Sequence, residues 1–152
     1  MLDIKIGNIF ECEEDIIAHQ VNCLGIMGGG IALQIKKLYP NVFDEYYNYC
    51  IRRKKEREKL LGNLLICNDD KIIANCFGQL NISKRKCETN YEMLEKSLTT
   101  LRMYAYINKL SIAIPYKIGC GLAGGDWNIV YNILKELFDK SCVKCVLYKF
   151  EG

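Results

Sequence analysis

The sequence predicts an α/β fold, with a mixed central sheet held between layers of helices in three layers (α/β/α). Three observations predict it. Short apolar or alternating runs take turns along the chain with longer segments whose apolar residues recur at helical spacing. A turn-forming Asn68-Asp69-Asp70 separates two strand-like runs, so at least one pair is antiparallel. Two junctions between a strand and a helix are glycine-rich, at 22–30 (NCLGIMGGG) and 118–126 (IGCGLAGGD). At 152 residues, a single domain over 1–152 with a sizeable core is expected.

The elements follow in order. Leu2 to Ile6 alternates apolar and charged residues, the pattern of a half-buried strand, and Gly7-Asn8 ends it. Residues 15–21 (DIIAHQV) form a second strand, with Ile17, His19 and Val21 on one face. A helix begins near Ile31 and stops before Tyr39-Pro40, because proline disfavours helix in the residue before it. A longer helix is expected from Asn41 to about Lys59, with Val42, Tyr46, Tyr49 and Cys50 on its apolar side. Strands at 64–67 and 71–77 form the hairpin, and 78–88 is a polar, basic loop. Thr89 or Asn90 caps a helix carrying Tyr91, Leu94, Leu98 and Leu101, which runs to about Asn108. A strand at 111–115, a helix at 126–139 capped by Asp126, and a strand at 142–148 complete the domain.

Composition narrows the function classes. Half the residues are apolar and 26% are charged, as in ordinary globular domains, and the net charge of +3 is too small to name a partner. The basic residues gather in two runs: Arg52, Arg53, Lys54, Lys55, Arg57 and Lys59, then Lys84, Arg85 and Lys86. The first reads as a solvated helix face, with a binding patch as the alternative. Nine cysteines without a signal peptide point to a reducing cytoplasm, and the odd number argues against a complete set of disulfides. The pair Cys142 and Cys145 falls on an expected strand, where residues three apart face opposite ways, so no metal site is expected. No run is long enough for a membrane-spanning helix, and no membrane partner is expected.

The glycine loops carry the chemistry. Glycine lets backbone N–H groups approach an anion closely, and a helix N-terminus adds partial positive charge. Gly119, Gly121 and Gly124 fit the dinucleotide fingerprint, with Asp139 at about the distance of a ribose-binding acid. That reading fails because only one helix and one strand follow, and Asp139 precedes the last strand instead of following one. Two glycine-rich junctions in one small domain suggest instead two loops closing on one phosphate-bearing ligand. His19 is the sole histidine and the one side chain here that titrates near neutrality unperturbed. It reads either as a core histidine paired with a neighbour or as a general acid or base.

With both loops in view, the chain resembles a macrodomain, the ADP-ribose-binding module. The resemblance rests on Gly7-Asn8-Ile9-Phe10, on 18–32 (AHQVNCLGIMGGGIA), on 75–79 (NCFGQ), on Asn90-Tyr91, on 114–127 (IPYKIGCGLAGGDW) and on the closing 146–150 (VLYKF). It is similar to the branch that holds the terminal ADP-ribose glycohydrolases and the yeast-type ADP-ribose 1″-phosphate phosphatases. The resemblance implies that Asn8 and Ile9 meet the adenine, and that Tyr148 and Phe150 flank the adenosine. It implies that Lys117, Ile118, Gly119, Cys120, Gly121, Leu122 and Ala123 cradle the diphosphate. Asn22, Met27, Gly28, Gly29, Gly30 and Ile31 would hold the distal ribose, with His19 and Asn22 as the catalytic pair.

The chain departs from the glycohydrolase pattern at two positions. That branch uses a lysine just after the middle strand and an aspartate in the second glycine loop; here Gly78-Gln79 and Ala123 stand there. Lys84 and Lys86 reach the site only if their loop folds inward. Three functions share this fold: a hydrolase freeing ADP-ribose from a protein or nucleic acid at C1″, an ADP-ribose 1″-phosphate phosphatase, and a non-catalytic reader. The first is the expectation, since a reader is usually fused to something it recruits. No cofactor or metal is required, the ligand or product is ADP-ribose, and a monomer is expected.

Overall fold

Two sheet faces carry the apolar residues of alternate strand positions, and each is covered by two helices. The computed structural model describes residues 1–83 and 85–151; Lys84, one of the two lysines above, lies outside them. The strands are β1 (Leu2–Ile6), β2 (Ile16–Val21), β3 (Leu64–Asn68), β4 (Ile72–Phe77), β5 (Ile112–Pro115) and β6 (Cys145–Lys149). The helices are α1 (Gly30–Leu38), α2 (Pro40–Ile51), α3 (Tyr91–Asn108) and α4 (Trp127–Phe138). The sheet order is β1-β6-β5-β2-β4-β3, parallel except for the β3–β4 hairpin.

Strand alternation decides which residues meet which helices. Ile16 and Ala18 of β2, with Ala74, Cys76, Ile112, Ile114 and Leu147, pack against Leu94, Leu98 and Leu101 of α3 and Val130 and Leu134 of α4. Ile17 and Val21, with Ile73, Phe77, Ala113 and Val146, pack against Ile35 of α1 and Val42, Tyr46 and Cys50 of α2. The chain therefore leaves β2 toward one face and leaves β5 toward the other. These strands are neighbours, so their C-terminal ends form a topological switch point, where open α/β sheets bind ligands. Moreover, β2 and β5 pair only through Ile16↔Ile112 and Ile17↔Ala113, whereas β2 pairs with β4 over all six residues. Beyond Ile17 and Ala113 the ladder between β2 and β5 ends, the arrangement that leaves a crevice at a switch point.

Asn90 accepts from the Met93 amide and Asp126 from the Asn128 amide, as their cap assignments require; each cap is worth about 1 kcal/mol. Three expectations are corrected. The helix expected to reach Lys59 ends at Ile51: Arg53 turns back, its guanidinium lying 4.0 Å from the centre of the Tyr49 ring and donating to the Tyr49 carbonyl at 3.0 Å. That carbonyl would have received the Arg53 amide in a continuing helix, and 54–59 forms only a kinked 3-10 stretch. The β1 strand is not half-buried by alternation, because it lies at the sheet edge and leaves Ile4 and Ile6 48% and 68% exposed. The last strand starts at Cys145, since the Ser141 hydroxyl accepts from the Val143 amide in a turn that holds Cys142 outside the strand.

Candidate functional site: a crevice between two glycine loops

The second glycine loop follows β5 and carries three left-handed residues, Lys117 (φ 67°), Gly119 (φ 73°) and Gly124 (φ 72°). It is closed by internal bonds: Cys120 N donates to the Lys117 carbonyl at 2.9 Å, Gly124 N to Gly121 at 3.1 Å and Gly125 N to Gly119 at 2.9 Å. Among the described residues, the amides of Gly119, Gly121, Leu122 and Ala123 donate to no protein acceptor. A run of unused backbone donors beside the N-terminus of α4 has the chemistry of an anion cradle. The loop presents backbone and not side chains on this side. Ile118 and Ala123 are 4% and 8% exposed, so their side chains face the core, and the Cys120 thiol donates to the Ile118 carbonyl, its pKa pushed up to about 11 by burial.

The first loop follows β2 and is built on Asn22. The Asn22 Oδ1 atom accepts from the Leu24 amide at 2.9 Å and from the Tyr46 hydroxyl at 2.9 Å, while Nδ2 donates to the Ile26 carbonyl at 2.8 Å. The Tyr46 hydroxyl also reaches the Asn22 carbonyl at 2.7 Å. Asn22 thus shapes the loop, its Oδ1 and one Nδ2 hydrogen being engaged within it. Met27 is 1% exposed and belongs to the core, so it too offers only backbone. Gly29, the N-cap of α1, provides no side-chain cap for the first amides of that helix. The loops approach each other: a Cβ on Gly29 would lie 2.6 Å from Cδ1 of Leu122, which is itself 73% exposed.

His19 is closed off from solvent in this geometry. It faces the α1/α2 layer and is buried. Both hydrogens of the Asn75 amide are in use, toward the Leu65 carbonyl and the Cys67 sulfur, so its Oδ1 accepts from His19 Nε2–H at 2.7 Å. This fixes the tautomer. Nδ1 is buried with no partner, and burial pushes the imidazole down to about 4 despite the Asn75 bond. This placement is that of a core histidine paired with a neighbour, the first of the two readings of this residue.

At the β1/β6 side, Asn8 accepts from the Phe10 amide at 2.9 Å and caps a short 3-10 turn, and Ile9 is 4% exposed beneath it. Tyr148 is buried with its hydroxyl donated to Glu14 at 2.5 Å, and Lys144 pairs with the other Glu14 oxygen at 3.0 Å. Burial works to raise the Glu14 carboxyl, but the bonds from Tyr148 and Lys144 outweigh it and hold the group below its ordinary value. Phe150, one residue past β6, is 72% exposed, so its ring is available to stack on a ligand. Lys86 is exposed and pairs with Glu88 at 3.6 Å; its backbone carbonyl would lie 3.5 Å from a Cβ on Gly124.

Sequence reasoning missed a polar cluster between the loops. Gln20 alternates with His19 and faces the opposite side of the sheet, toward Gln79, Thr89 and Gly119. Only the alternation and the tight glycines at 78 and 119 could have signalled it. Two open grooves, of about 420 and 590 Å³, lie at the other end of the sheet around Tyr106, Ile107 and Cys142. They contain neither glycine loop.

A six-stranded mixed sheet with helices on both faces and two glycine loops at its switch point defines a class, and comparison with known proteins identifies it. The Macro domain family model matches residues 18–134, and the chain belongs to the macrodomain family. It is 27% identical over 164 residues to the DNA ADP-ribosyl glycohydrolase of Mycobacterium tuberculosis, covering 100% of this chain and 43% of that protein. It is 28% identical over 144 residues to the human ADP-ribose glycohydrolase OARD1, covering 93% and 87%. The solved macrodomain of Mycobacterium tuberculosis DarG superposes with a TM-score of 0.83 at 27% identity, covering 97% of each chain. The chain thus spans about two-fifths of the length of the mycobacterial relative.

Proposed function

We propose that this macrodomain binds ADP-ribose across the crevice between β2 and β5 and hydrolyses a bond at C1″ of the distal ribose, freeing ADP-ribose from a macromolecule. The observation that carries the reading is the pair of facing glycine loops, whose unpartnered amides suit a diphosphate. The names of the relatives above support the ligand and the hydrolase class. Phe150 suits the adenosine end, and the first loop, on the β2 side, suits the distal ribose.

One observation favours a second reading, a non-catalytic reader. No ionisable side chain among those assigned to the distal ribose opens into the crevice: His19 is buried and neutral, and the positions of the glycohydrolase lysine and aspartate hold Gly78-Gln79 and Ala123. The phosphatase reading likewise finds no exposed acid or base in His19. Calorimetric titration with ADP-ribose, followed by assays on an ADP-ribosylated oligonucleotide, an ADP-ribosylated protein and ADP-ribose 1″-phosphate, tests all three. Micromolar binding, about 8 kcal/mol, with turnover of an adduct is expected. Binding without turnover of any substrate would leave the reader, and no binding would overturn the ligand.

The charge distribution bears on the macromolecule. Segment 52–59 holds six of the 21 basic and two of the 18 acidic side chains, so the remainder of the chain is slightly acidic. Arg57 donates to Asn81 at 2.9 Å, and Gly62 N donates to the Phe77 carbonyl at the end of β4, which brings this segment to the first-loop side of the crevice. A polyanion attached at C1″ would leave the crevice on that side. The triple variant Arg52→Gln, Lys54→Gln, Lys55→Gln is expected to reduce the salt slope of binding to an ADP-ribosylated oligonucleotide by roughly 2. Affinity for free ADP-ribose should be unchanged. An unaltered slope would exclude these side chains as phosphate contacts.

A further inference from the structure

We infer that Thr89 and Gln20 are positioning residues that aim the second glycine loop at its anionic ligand; the inference rests on the crevice being the ADP-ribose site. Thr89 is buried between α3 and the loop, with 6% exposure. Its hydroxyl donates to the Gly119 carbonyl at 2.6 Å and accepts from Gln20 Nε2 at 2.9 Å. Both directions are forced. The Gly119 carbonyl can only accept, and the hydroxyl has a single hydrogen. The second Nε2 hydrogen of Gln20 goes to Gln79 Oε1 at 3.0 Å, and Gln79 Nε2 donates to the Asn81 carbonyl at 2.9 Å. The result is a continuous relay from 81 on one side of β2 to Gly119 on the other.

The relay ends where the loop is decided. Gly119 is left-handed at φ 73°, and its carbonyl also accepts the Gly125 amide that closes the loop. Its amide and those of 121–123 are the unpartnered donors of the cradle. Peptide planes are rigid, so fixing the Gly119 carbonyl fixes the next N–H, and through the closed turn it constrains the donors that follow. The glycines at 78 and 119 make room for this: a Cβ would lie 2.2 Å from Gln20 Oε1 at Gly78, and 3.1 Å from the same atom at Gly119. Gln20 Oε1 itself is buried with no partner. A buried orphan acceptor is costly, and the fold tolerates it to keep Nε2 turned toward Thr89.

Thr89→Val keeps the shape and removes the hydroxyl; Thr89→Ser keeps the hydroxyl. Affinities for ADP-ribose, by calorimetry, and for adenosine, by NMR titration, separate positioning from general support. Thr89→Val is expected to weaken ADP-ribose about tenfold and leave adenosine unchanged, with Thr89→Ser within about twofold of the wild type. Gln20→Met, which cuts the relay one step earlier, is expected to show the same difference between ligands. Unchanged ADP-ribose affinity in both Thr89→Val and Gln20→Met overturns the inference, as does equal loss for the two ligands in both, which would mark a purely structural role. If the wild-type protein itself fails to bind ADP-ribose, the reading of the crevice fails first, and that is seen before any substitution is made.

Discussion

Gly125→Ala is expected to abolish high-affinity ADP-ribose binding, with a loss of at least about 100-fold, or roughly 2.7 kcal/mol. The added Cβ would lie 2.5 Å from the Gly119 carbonyl oxygen and 3.3 Å from its carbon. Both are backbone atoms, so no side chain can swing aside. The oxygen is also the acceptor of the Gly125 amide, at 2.9 Å, so relieving the clash breaks the bond that closes the cradle. Gly125 lies immediately before the cap of α4, which keeps its own hydrogen bond from Asn128 N to Asp126. Global stability should therefore fall by only about 1–2 kcal/mol. Gly121→Ala is the internal control: a Cβ there meets nothing within 4 Å, and the residue is not left-handed. Calorimetry on the two variants should show Gly121→Ala within about threefold of the wild type. Equal affinities for Gly125→Ala and Gly121→Ala would mean that the second loop does not grip the ligand.

The contrast between these two glycines shows what could be read from the sequence. The sheet class, both glycine loops, the caps at Asn90 and Asp126 and the hairpin at 68–70 are local patterns and were legible. What escaped depends on which face of an element is covered. The alternation in β1 promised burial for Ile4 and Ile6, but an edge strand flanked by a single neighbour leaves them in solvent. The α2 pattern continued past Ile51, but the Arg53 side chain captured a backbone acceptor, a contact that periodicity does not encode. In the candidate site, the positions in 117–123 form the closed second loop, but only tertiary bonding reveals that Asn22 is spent on its own loop. His19 and Gln20 are neighbours in sequence and opposite in fate. One faces the core beneath α1 and α2, and the other faces the second glycine loop.

Acidification should destabilise the fold through His19. The imidazole stays neutral in the folded protein down to about 4, against 6.5 for an unperturbed histidine, because it is buried. Between these values the unfolded chain binds a proton that the folded chain refuses, so stability rises with pH and is lost as pH falls. The loss is about 1.4 kcal/mol per pH unit and roughly 3 kcal/mol across the window. Glu14 acts the same way at lower pH: its folded carboxyl is held below its ordinary value, so its contribution is present above that value and fades as pH falls through the folded one. The two losses follow one another, His19 first. Urea unfolding at intervals from pH 7 to 4.5 should show this slope in the wild type and a flat profile in His19→Gln, whose side chain does not titrate. A flat wild-type profile, or an unchanged slope in the variant, would sink the account of a buried neutral imidazole. The variant also separates the two readings of this residue. Protonating His19 would add an N–H at Nδ1 with no acceptor in the described structure, so the cost falls on the fold and not on a reaction. If the protein turns over an ADP-ribosyl adduct, His19→Gln should retain the pH dependence of that turnover while losing the pH dependence of stability.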